Sequence, residues 1–153
     1  MRGLSFEIPN RYGRYLYNIL EDVNIKNYLW KFCDGEAYYI ENNQLGGAMF
    51  PQPYTYDGQD LYKRISAKDY YVIFADLKAF KEKTHMQGIA TYEDFLNSQC
   101  EIVLLIVDSS YVTIYVKNHQ LTELIYRKAV QNGYENIAYI TDDNDPRTAL
   151  ILV

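Results

Sequence analysis

Apolar residues recur along this chain in short runs, either alternating with polar residues or following one another, and both patterns are typical of β-strands. Residues 3–8 form the first run and end at Pro9, which cannot continue a strand ladder. The run "DYYVIFADL" (69–77) is apolar on both faces, which predicts a strand inside a sheet. "NIAYIT" (136–141) and "TALILV" (148–153) are two further predicted strands, and they close the chain.

The segment "YLWKFCDGEAYYIE" (28–41) has the strongest short-range pattern of a β-hairpin. Asp34-Gly35 is a favoured two-residue turn, because both positions of such a turn must reach positive φ. The predicted register places Cys33 opposite Glu36 and continues back to Tyr28. A slip of one residue would exchange the two faces of this hairpin.

The segment "EIVLLIVDSSYVTIYVKN" (101–118) predicts a second hairpin and is the most apolar part of the chain. Ser109-Ser110 is its predicted loop, with Asp108 and Tyr111 as the closing pair. Serine is unfavourable at positive φ, so a loop longer than two residues is the alternative prediction. This register predicts one wholly aliphatic face formed by Val103, Leu105, Val107, Val112, Ile114 and Val116.

Two longer stretches have apolar residues at helical spacing. The first predicts a helix over residues 11–23, capped by Asn10. The second predicts a helix over 119–132, capped by Asn118 and ended by Gly133, a residue that readily adopts the left-handed conformation after a helix. The inward residues of the second helix are predicted to be Leu121, Leu124, Ile125 and Ala129.

Two short helices are also predicted. One covers residues 58–66. The other begins at Thr91, which forms a capping box with Asp94, and its inward residues are predicted to be Tyr92, Phe95 and Leu96. Together these elements predict one α+β domain over 1–153, with a largely antiparallel, twisted sheet built from hairpins and two main helices packed on it.

Residues 42–60, "NNQLGGAMFPQPYTYDGQD", are the least regular stretch and predict a long loop. Loops of this length are usually functional or poorly ordered. Its aromatic and acidic residues are the candidate contacts with a partner, and they are Phe50, Tyr54, Tyr56 and Asp57.

The segment "DDNDPR" (142–147) is the densest polar cluster in the chain. A calcium loop needs ligands at alternate positions and a glycine at the sixth. Counted from Asp143, Arg147 occupies the fifth position and Thr148 the sixth, so the calcium pattern fails. Asp, Asn and Pro are typical of turns, and the segment is therefore predicted to be a hairpin loop between the last two strands.

Composition and charge restrict the class of function. The chain of 153 residues has 48% hydrophobic and 23% charged residues, as ordinary soluble proteins do. Its formal net charge of −5 argues against binding to duplex DNA or an anionic membrane. No apolar run approaches the length of a membrane helix, and no signal peptide is visible at the N-terminus. Two isolated cysteines fit a reduced cytoplasmic chain.

Few residues have the spacing of catalytic or metal-binding groups. His85 and His119 are the only histidines and have no cysteine or histidine at ligand spacing, so no zinc site is predicted. No glycine-rich phosphate motif is present. Cys33 and Cys100 fall in or beside predicted strands, which favours inert thiols. The alternative is a nucleophilic Cys–His pair formed by residues that are distant in sequence but close in space, and the sequence does not exclude it. The sequence therefore predicts no catalytic residues, no metal and no cofactor.

The C-terminal third, from "YEDFLNSQCEIVLLIVDSSYVTIYVKN" through "GYENIAYITDDNDPRTALILV", resembles a small uncharacterised family of Bacillus-type bacteria. The resemblance implies a bacterial, cytosolic origin and a similar order of strands. The family has no assigned activity, so the resemblance implies no catalytic residues.

Three functional hypotheses follow. The first is a non-catalytic protein-binding module of inhibitor, immunity or regulatory type, because 17 tyrosines and an acidic surface suit contact with a basic partner. The second is a small-molecule or nucleotide-binding enzyme with a pocket under loop 42–60. The third is a single-stranded nucleic-acid binder along 61–83, which the overall acidic charge opposes. Edge strands of a tyrosine-rich sheet can also pair across a homo-oligomer.

Overall fold

All eight strands of the computed structural model, which describes residues 1–152, join one antiparallel sheet. The strands are β1 (Gly3–Glu7), β2 (Leu29–Glu41), β3 (Gln44–Ala48), β4 (Thr55–Asp57), β5 (Tyr70–Phe80), β6 (Cys100–Val107), β7 (Tyr111–Val116) and β8 (Glu135–Ile140). Their order across the sheet is β3-β2-β5-β6-β7-β1-β8, and β4 also pairs with β2. The predicted α+β fold with a largely antiparallel sheet is confirmed.

Four α-helices and two short 3-10 turns complete the fold. The helices are α1 (Tyr15–Leu20), α2 (Gly58–Ser66), α3 (Tyr92–Asn97) and α4 (His119–Gln131), and the 3-10 turns are Ile25–Asn27 and Lys83–His85. Helices α1, α2 and α4 cover one face of the sheet, here called the three-helix face, with the larger apolar core between them. Helix α3 and the C-terminal residues 146–152 lie on the opposite face, here called the tail face, over a smaller core.

Several elements form where the sequence predicts them. Strand β5 lies between β2 and β6, inside the sheet as predicted. The side chain of Asn118 accepts a hydrogen bond from the N–H of Leu121 and caps α4. Thr91 and Asp94 form the predicted capping box of α3. Gly133 follows α4 with a φ of 73°. The predicted helix over 58–66 is also confirmed as α2.

The predicted hairpin with a turn at Asp34-Gly35 is wrong. Strand β2 runs without reversal through 13 residues, and the chain turns instead at Asn42-Asn43, where φ is 53° and 62°. Asp34 lies opposite Asp76 of β5, so the predicted pairing of Cys33 with Glu36 does not occur. The long ladder with β5 satisfies many backbone groups at once, and this outweighs the local turn preference of Asp-Gly.

The β6–β7 hairpin forms, but its predicted register is wrong by one residue. The loop has three residues, with Asp108 and Ser109 at positive φ, and Val107 rather than Asp108 lies opposite Tyr111. The shift moves the β6 residues of the predicted face to the opposite face, as expected for a period of two, and leaves the β7 residues in place. The aliphatic residues that face α1, α2 and α4 are therefore Ile102, Leu104, Ile106, Val112, Ile114 and Val116.

The first helix is shorter than the predicted 11–23, and Asn10 does not cap it. Helix α1 begins at Tyr15 after Arg14, because Gly13 and Tyr70 exchange two backbone hydrogen bonds of 3.1 and 2.9 Å. This bridge holds residues before α1 in an extended conformation. Two predicted inward leucines also face solvent: Leu96 of α3 is 55% exposed and Leu124 of α4 is 39% exposed.

The last predicted strand is absent from the part of the chain described, because no strand forms over 148–152. Residue 153 of that predicted strand lies outside the described residues. Strand β8 pairs with β1 instead, so the predicted hairpin over 137–153 is wrong. The chain reverses after β8 and crosses the tail face, where the N–H of Leu150 donates to the carbonyl of Ala90 at 2.8 Å.

The acidic turn after β8 has one buried carboxylate, that of Asp145, whose side chain is 3% exposed. Asp145 accepts hydrogen bonds from Arg2 at 3.1 Å and from the hydroxyl of Tyr115 at 3.0 Å. Burial, followed by the bond to Asp145, raises the pKa of Tyr115. The turn therefore joins the C-terminal segment to β1 and β7.

Replacing Asp145 with alanine is expected to lower the free energy of unfolding by about 2 to 3 kcal/mol, because Arg2 and Tyr115 lose a buried, charged partner. Asp143→Ala is the matched control, since Asp143 is exposed in the same turn and should leave stability near wild type. Urea denaturation of the two variants measures the difference. Equal midpoints would contradict a structural role for Asp145.

Candidate binding groove along strand β2

The four residues predicted to contact a partner do not form one exposed surface. Phe50 and Tyr56 are 5% and 3% exposed and belong to the core. The ring of Phe50 stacks on Phe32 with centroids 4.4 Å apart, and the hydroxyl of Tyr56 donates to the carbonyl of Pro51. The carboxylate of Asp57 caps α2 by accepting from the N–H of Asp60 at 2.8 Å. Tyr54 remains 44% exposed.

The segment predicted as loop 42–60 is more regular than expected, because it contains β3, β4 and the start of α2. Both strands pair with the same outer edge of β2, at different places. Strand β4 covers residues 29–31 of β2, and β3 covers residues 38–41. Between them, the outer edge of residues 33–36 is paired with no strand of the described chain. We call this interruption the strand gap.

Two backbone hydrogen bonds mark the ends of the strand gap. The N–H of Phe32 donates to the carbonyl of Tyr54 at 2.8 Å, and the N–H of Met49 donates to the carbonyl of Ala37 at 2.9 Å. The chain between these two bonds contains Pro51 and Pro53 and forms no strand. The edge is therefore open for about the width of four residues.

A cavity of about 450 Å³ lies at the strand gap, and we call it the β2 groove. This volume is in the range of ligand pockets. The side chains that define its character are aromatic or acidic, and they are Phe32, Asp34, Glu36, Tyr38, Phe50 and Tyr54. The groove thus combines the two predicted residues Phe50 and Tyr54 with acids that lie on β2.

Gly35 has an unusual backbone conformation at the centre of the groove, with a φ of 142°. A Cβ atom there would lie 2.5 Å from the carbonyl oxygen of Phe74 and 2.8 Å from the ring of Phe32. The β2–β5 register shifts on both sides of Gly35, between Phe32 and Asp34 and between Glu36 and Ala37. Such bulges often re-aim side chains next to binding sites.

The charge of the groove is negative. Asp34 and Glu36 are both exposed, and neither forms a salt bridge with any residue of the described chain. Glu36 accepts a hydrogen bond from the hydroxyl of Tyr38 at 3.1 Å, which raises the pKa of Tyr38. Carboxylates between aromatic rings favour a cationic group, because the ring faces also attract cations.

Neither of the two thiols, Cys33 beside the groove and Cys100 in β6, is activated. Desolvation of the sulfur raises the pKa of Cys33 to about 11, although the residue as a whole is exposed. Burial raises the pKa of Cys100 to about 12. Both thiols therefore stay protonated at neutral pH, which supports the inert interpretation. Residues 1–152 contain no group of at least three His, Cys, Asp or Glu side chains that could hold a metal ion.

A buried ion pair lies beside the groove on the tail face, and the sequence analysis missed it. The ammonium of Lys78 is 2.7 Å from the carboxylate of Asp76, and both side chains are 2% exposed. The signal in the sequence is an aspartate and a lysine at alternate positions of the apolar stretch "IFADLKAF". Burial, only partly offset by Lys78, raises the pKa of Asp76.

The basic residues of 61–83 do not form one exposed surface. Lys78 is buried, and Arg64 and Lys68 form salt bridges with Asp60 and Glu41. Tyr70, an aromatic residue of the same segment, is 1% exposed and cannot stack on bases. This placement gives the nucleic-acid hypothesis the least support of the three.

The fold and the groove define a small α+β protein with an open sheet edge and no assigned chemistry. The chain belongs to a bacterial family described as "Protein of unknown function (DUF2691)", whose profile matches residues 1–151. It is 42% identical over 150 residues to "Uncharacterized protein YncE" of Bacillus subtilis (strain 168), which covers 97% of each chain. These findings confirm the resemblance to an uncharacterised Bacillus-type family. No solved structure matches the chain. Within residues 1–152, no helix is both long and apolar enough to span a membrane.

Proposed function

We propose that this chain is a non-catalytic, cytoplasmic protein-binding module of inhibitor, immunity or regulatory type. In this proposal the β2 groove holds an extended, positively charged segment of a partner protein, which adds a short strand at the strand gap. The observation that carries the proposal is the open edge of residues 33–36 inside an acidic, aromatic cavity.

The backbone supplies the first part of the argument. An unpaired strand edge presents N–H and C=O groups that pair readily with another chain, and proteins usually cover or shorten such edges. Here β3 and β4 cover the edge on both sides of residues 33–36 and leave this window open. Addition of a strand gives affinity through backbone hydrogen bonds, and side-chain pockets beside the strand give specificity.

The side chains supply the second part. Asp34 and Glu36 carry charges that no residue of the described chain neutralises by a salt bridge. A lysine or arginine of the added segment would pair with them while its methylenes contact Tyr54. The net charge of −5 would also attract a basic partner at a distance. Exposed aromatic residues beside charges are common hot spots of binding.

An affinity capture from cells that contain the natural partner tests this proposal at low and at moderate salt. Tyr54→Ala is expected to weaken binding of the captured protein about tenfold or more. Tyr12→Ala is the matched control, because both tyrosines are 44% exposed and Tyr12 lies outside the groove. Glu36→Gln should weaken binding less and reduce its salt dependence, whereas Glu93→Gln on α3 should change neither.

Hydrogen exchange tests the mode of binding. The amides within residues 33–36 that point to the strand gap should become protected when the partner binds, because strand addition gives them new acceptors. Capture of no partner by the wild-type protein would contradict the proposal. Equal effects of Tyr54→Ala and Tyr12→Ala would also contradict it, and unchanged exchange at 33–36 would rule out strand addition.

A second candidate function is the binding of a small molecule or nucleotide by an enzyme that uses the same cavity. The observation that favours it is a volume of about 450 Å³ under the segment that contains Phe50 and Tyr54. A thermal-shift screen with a metabolite library tests it. Stabilisation that Tyr54→Ala removes and Tyr12→Ala retains would support this candidate, and a flat screen would count against it.

A further inference from the structure

Strands β2 and β5 bring four charged residues together on the tail face. Lys31 lies directly opposite Lys78, and Asp34 lies directly opposite Asp76, so each rung of the ladder pairs like charges. We call these residues the charge quartet. Like charges directly opposite each other on one face destabilise a sheet. An arrangement of this kind needs compensating charges.

Within residues 1–152, only half of the charge quartet is compensated. Lys78 and Asp76 neutralise each other at 2.7 Å, and Lys78 also donates to the carbonyl of Leu150 at 3.1 Å. Lys31 and Asp34 have no salt bridge with each other or with another residue of 1–152. One positive and one negative group therefore remain available beside a buried ion pair.

A cavity of about 300 Å³ covers the charge quartet. All four charged residues line it, with Cys33, Gln87 and Gly88, and its apolar wall is formed by Ile89, Ile151 and Leu152. This cavity is separate from the β2 groove, although Cys33 and Asp34 line both. Its volume is at the low end for ligand pockets, which suits a small ligand.

The charges restrict the class of ligand. An anion near Lys31 would also meet the carboxylates of Asp34 and Asp76, and a cation near Asp34 would also meet two ammonium groups. A ligand that carries both charges neutralises Lys31 and Asp34 together and brings no uncompensated charge of its own to the buried ion pair. The apolar wall then favours an aliphatic side chain on the same ligand.

We propose that this cavity binds a small zwitterion, a free aliphatic α-amino acid, with the ligand's carboxylate on Lys31 and its ammonium on Asp34. Hydrogen bonds between charged groups in a partly closed site are strong enough to orient such a ligand. The aliphatic side chain lies against Ile151 and Leu152. This site goes beyond the proposed protein-binding function, which uses the other cavity and shares Cys33 and Asp34 with this one.

Isothermal titration with leucine at up to about 10 mM tests the proposal. Leucinamide lacks the carboxylate and N-acetyl-leucine lacks the ammonium, and each is expected to bind at least about tenfold more weakly than leucine. Lys31→Gln should remove the preference for leucine over leucinamide. Asp34→Asn should remove the preference for leucine over N-acetyl-leucine.

Lys63→Gln is the control, because Lys63 is exposed on α2, away from the cavity. It should retain the affinity and both preferences of the wild-type protein. Glycine should bind more weakly than leucine, because it leaves the apolar wall uncovered. Absence of heat with every aliphatic amino acid would overturn the proposal, and so would equal binding of leucine and leucinamide. Because Lys31 does not line the β2 groove, Lys31→Gln separates this result from the protein-binding test.

Discussion

Replacing Lys78 with methionine is expected to lower the free energy of unfolding by about 3 to 5 kcal/mol at neutral pH. The substitution keeps the length of the side chain but removes the ammonium that is 2.7 Å from Asp76. Asp76 is 1% exposed, so in the variant its carboxylate would be buried without a cation. Breaking a buried pair on one side costs far more than an exposed pair contributes. Urea denaturation at pH 7 measures the loss.

The effect of Lys78→Met should depend on pH with a definite sign. Burial already raises the pKa of Asp76 above its ordinary value of 3.8, and loss of Lys78 raises it further. Between 3.8 and the raised pKa, the folded state binds a proton that the unfolded state does not bind. Stability contributed by this group therefore falls as pH rises through that window. The deficit of the variant should shrink when the pH is lowered from 7 towards 4.

The double variant Asp76→Leu/Lys78→Met is the control for this interpretation. Removing both charges leaves no buried charge unpaired. The free energy of unfolding of the double variant is therefore expected to equal that of the wild type or to exceed it by up to about 4 kcal/mol. The double variant should also lose the pH dependence of the single variant. A double variant as unstable as Lys78→Met would show that packing, rather than charge, is the cause.

Local signals in the sequence predict the N-terminal caps of α3 and α4 and the glycine that follows α4. Asn118, Thr91 and Asp94 form caps within one turn of their own helices, and nothing distant competes with those bonds. The same holds for Gly133, which takes the left-handed conformation after α4. These features depend on neighbours in the chain, so the sequence alone is sufficient for them.

The predictions that are wrong concern segments whose conformation depends on contacts with other strands. Asp34-Gly35 has a strong local preference for a turn, but the ladder to β5 holds it in the middle of β2. Gly13 belongs to a helical pattern, but its bridge to Tyr70 keeps it extended. The register of the β6–β7 hairpin depends on a third loop residue, Asp108, and a shift of one residue moves the β6 side chains to the opposite face. Tertiary pairing outweighs local propensity in each case.

The candidate site could be predicted only in part for the same reason. Tyr54 was predicted from a loop rich in aromatic residues, and it does line the groove. Asp34 and Glu36 were not predicted, because a hairpin turn would have placed them away from any cavity. The charge quartet also depends on the pairing of β2 with β5, since Lys31 and Lys78 are distant in sequence. The polar pair Asp76 and Lys78 in an apolar strand was the one local signal available.

Replacing Gly35 with alanine is expected to lower the free energy of unfolding by about 2 to 4 kcal/mol, through backbone strain and a steric clash together. The φ of 142° is unfavourable for any side chain, and the new Cβ would approach the carbonyl oxygen of Phe74 to 2.5 Å. The new Cβ would also lie 2.8 Å from the ring of Phe32, so this ring has to move to relieve the clash. Because Phe32 lines the β2 groove, the groove changes shape.

Gly47→Ala is the matched control for Gly35→Ala. Gly47 lies in β3, the strand that borders the strand gap, and a Cβ atom there meets no atom within 4 Å. Gly47→Ala should therefore unfold at a urea midpoint close to that of wild type, whereas Gly35→Ala should unfold at a clearly lower one. Partner binding should fall with Gly35→Ala even under conditions where the variant is fully folded, because the groove changes shape. Matching midpoints for the two variants would mean that the backbone conformation at residue 35 does not require glycine.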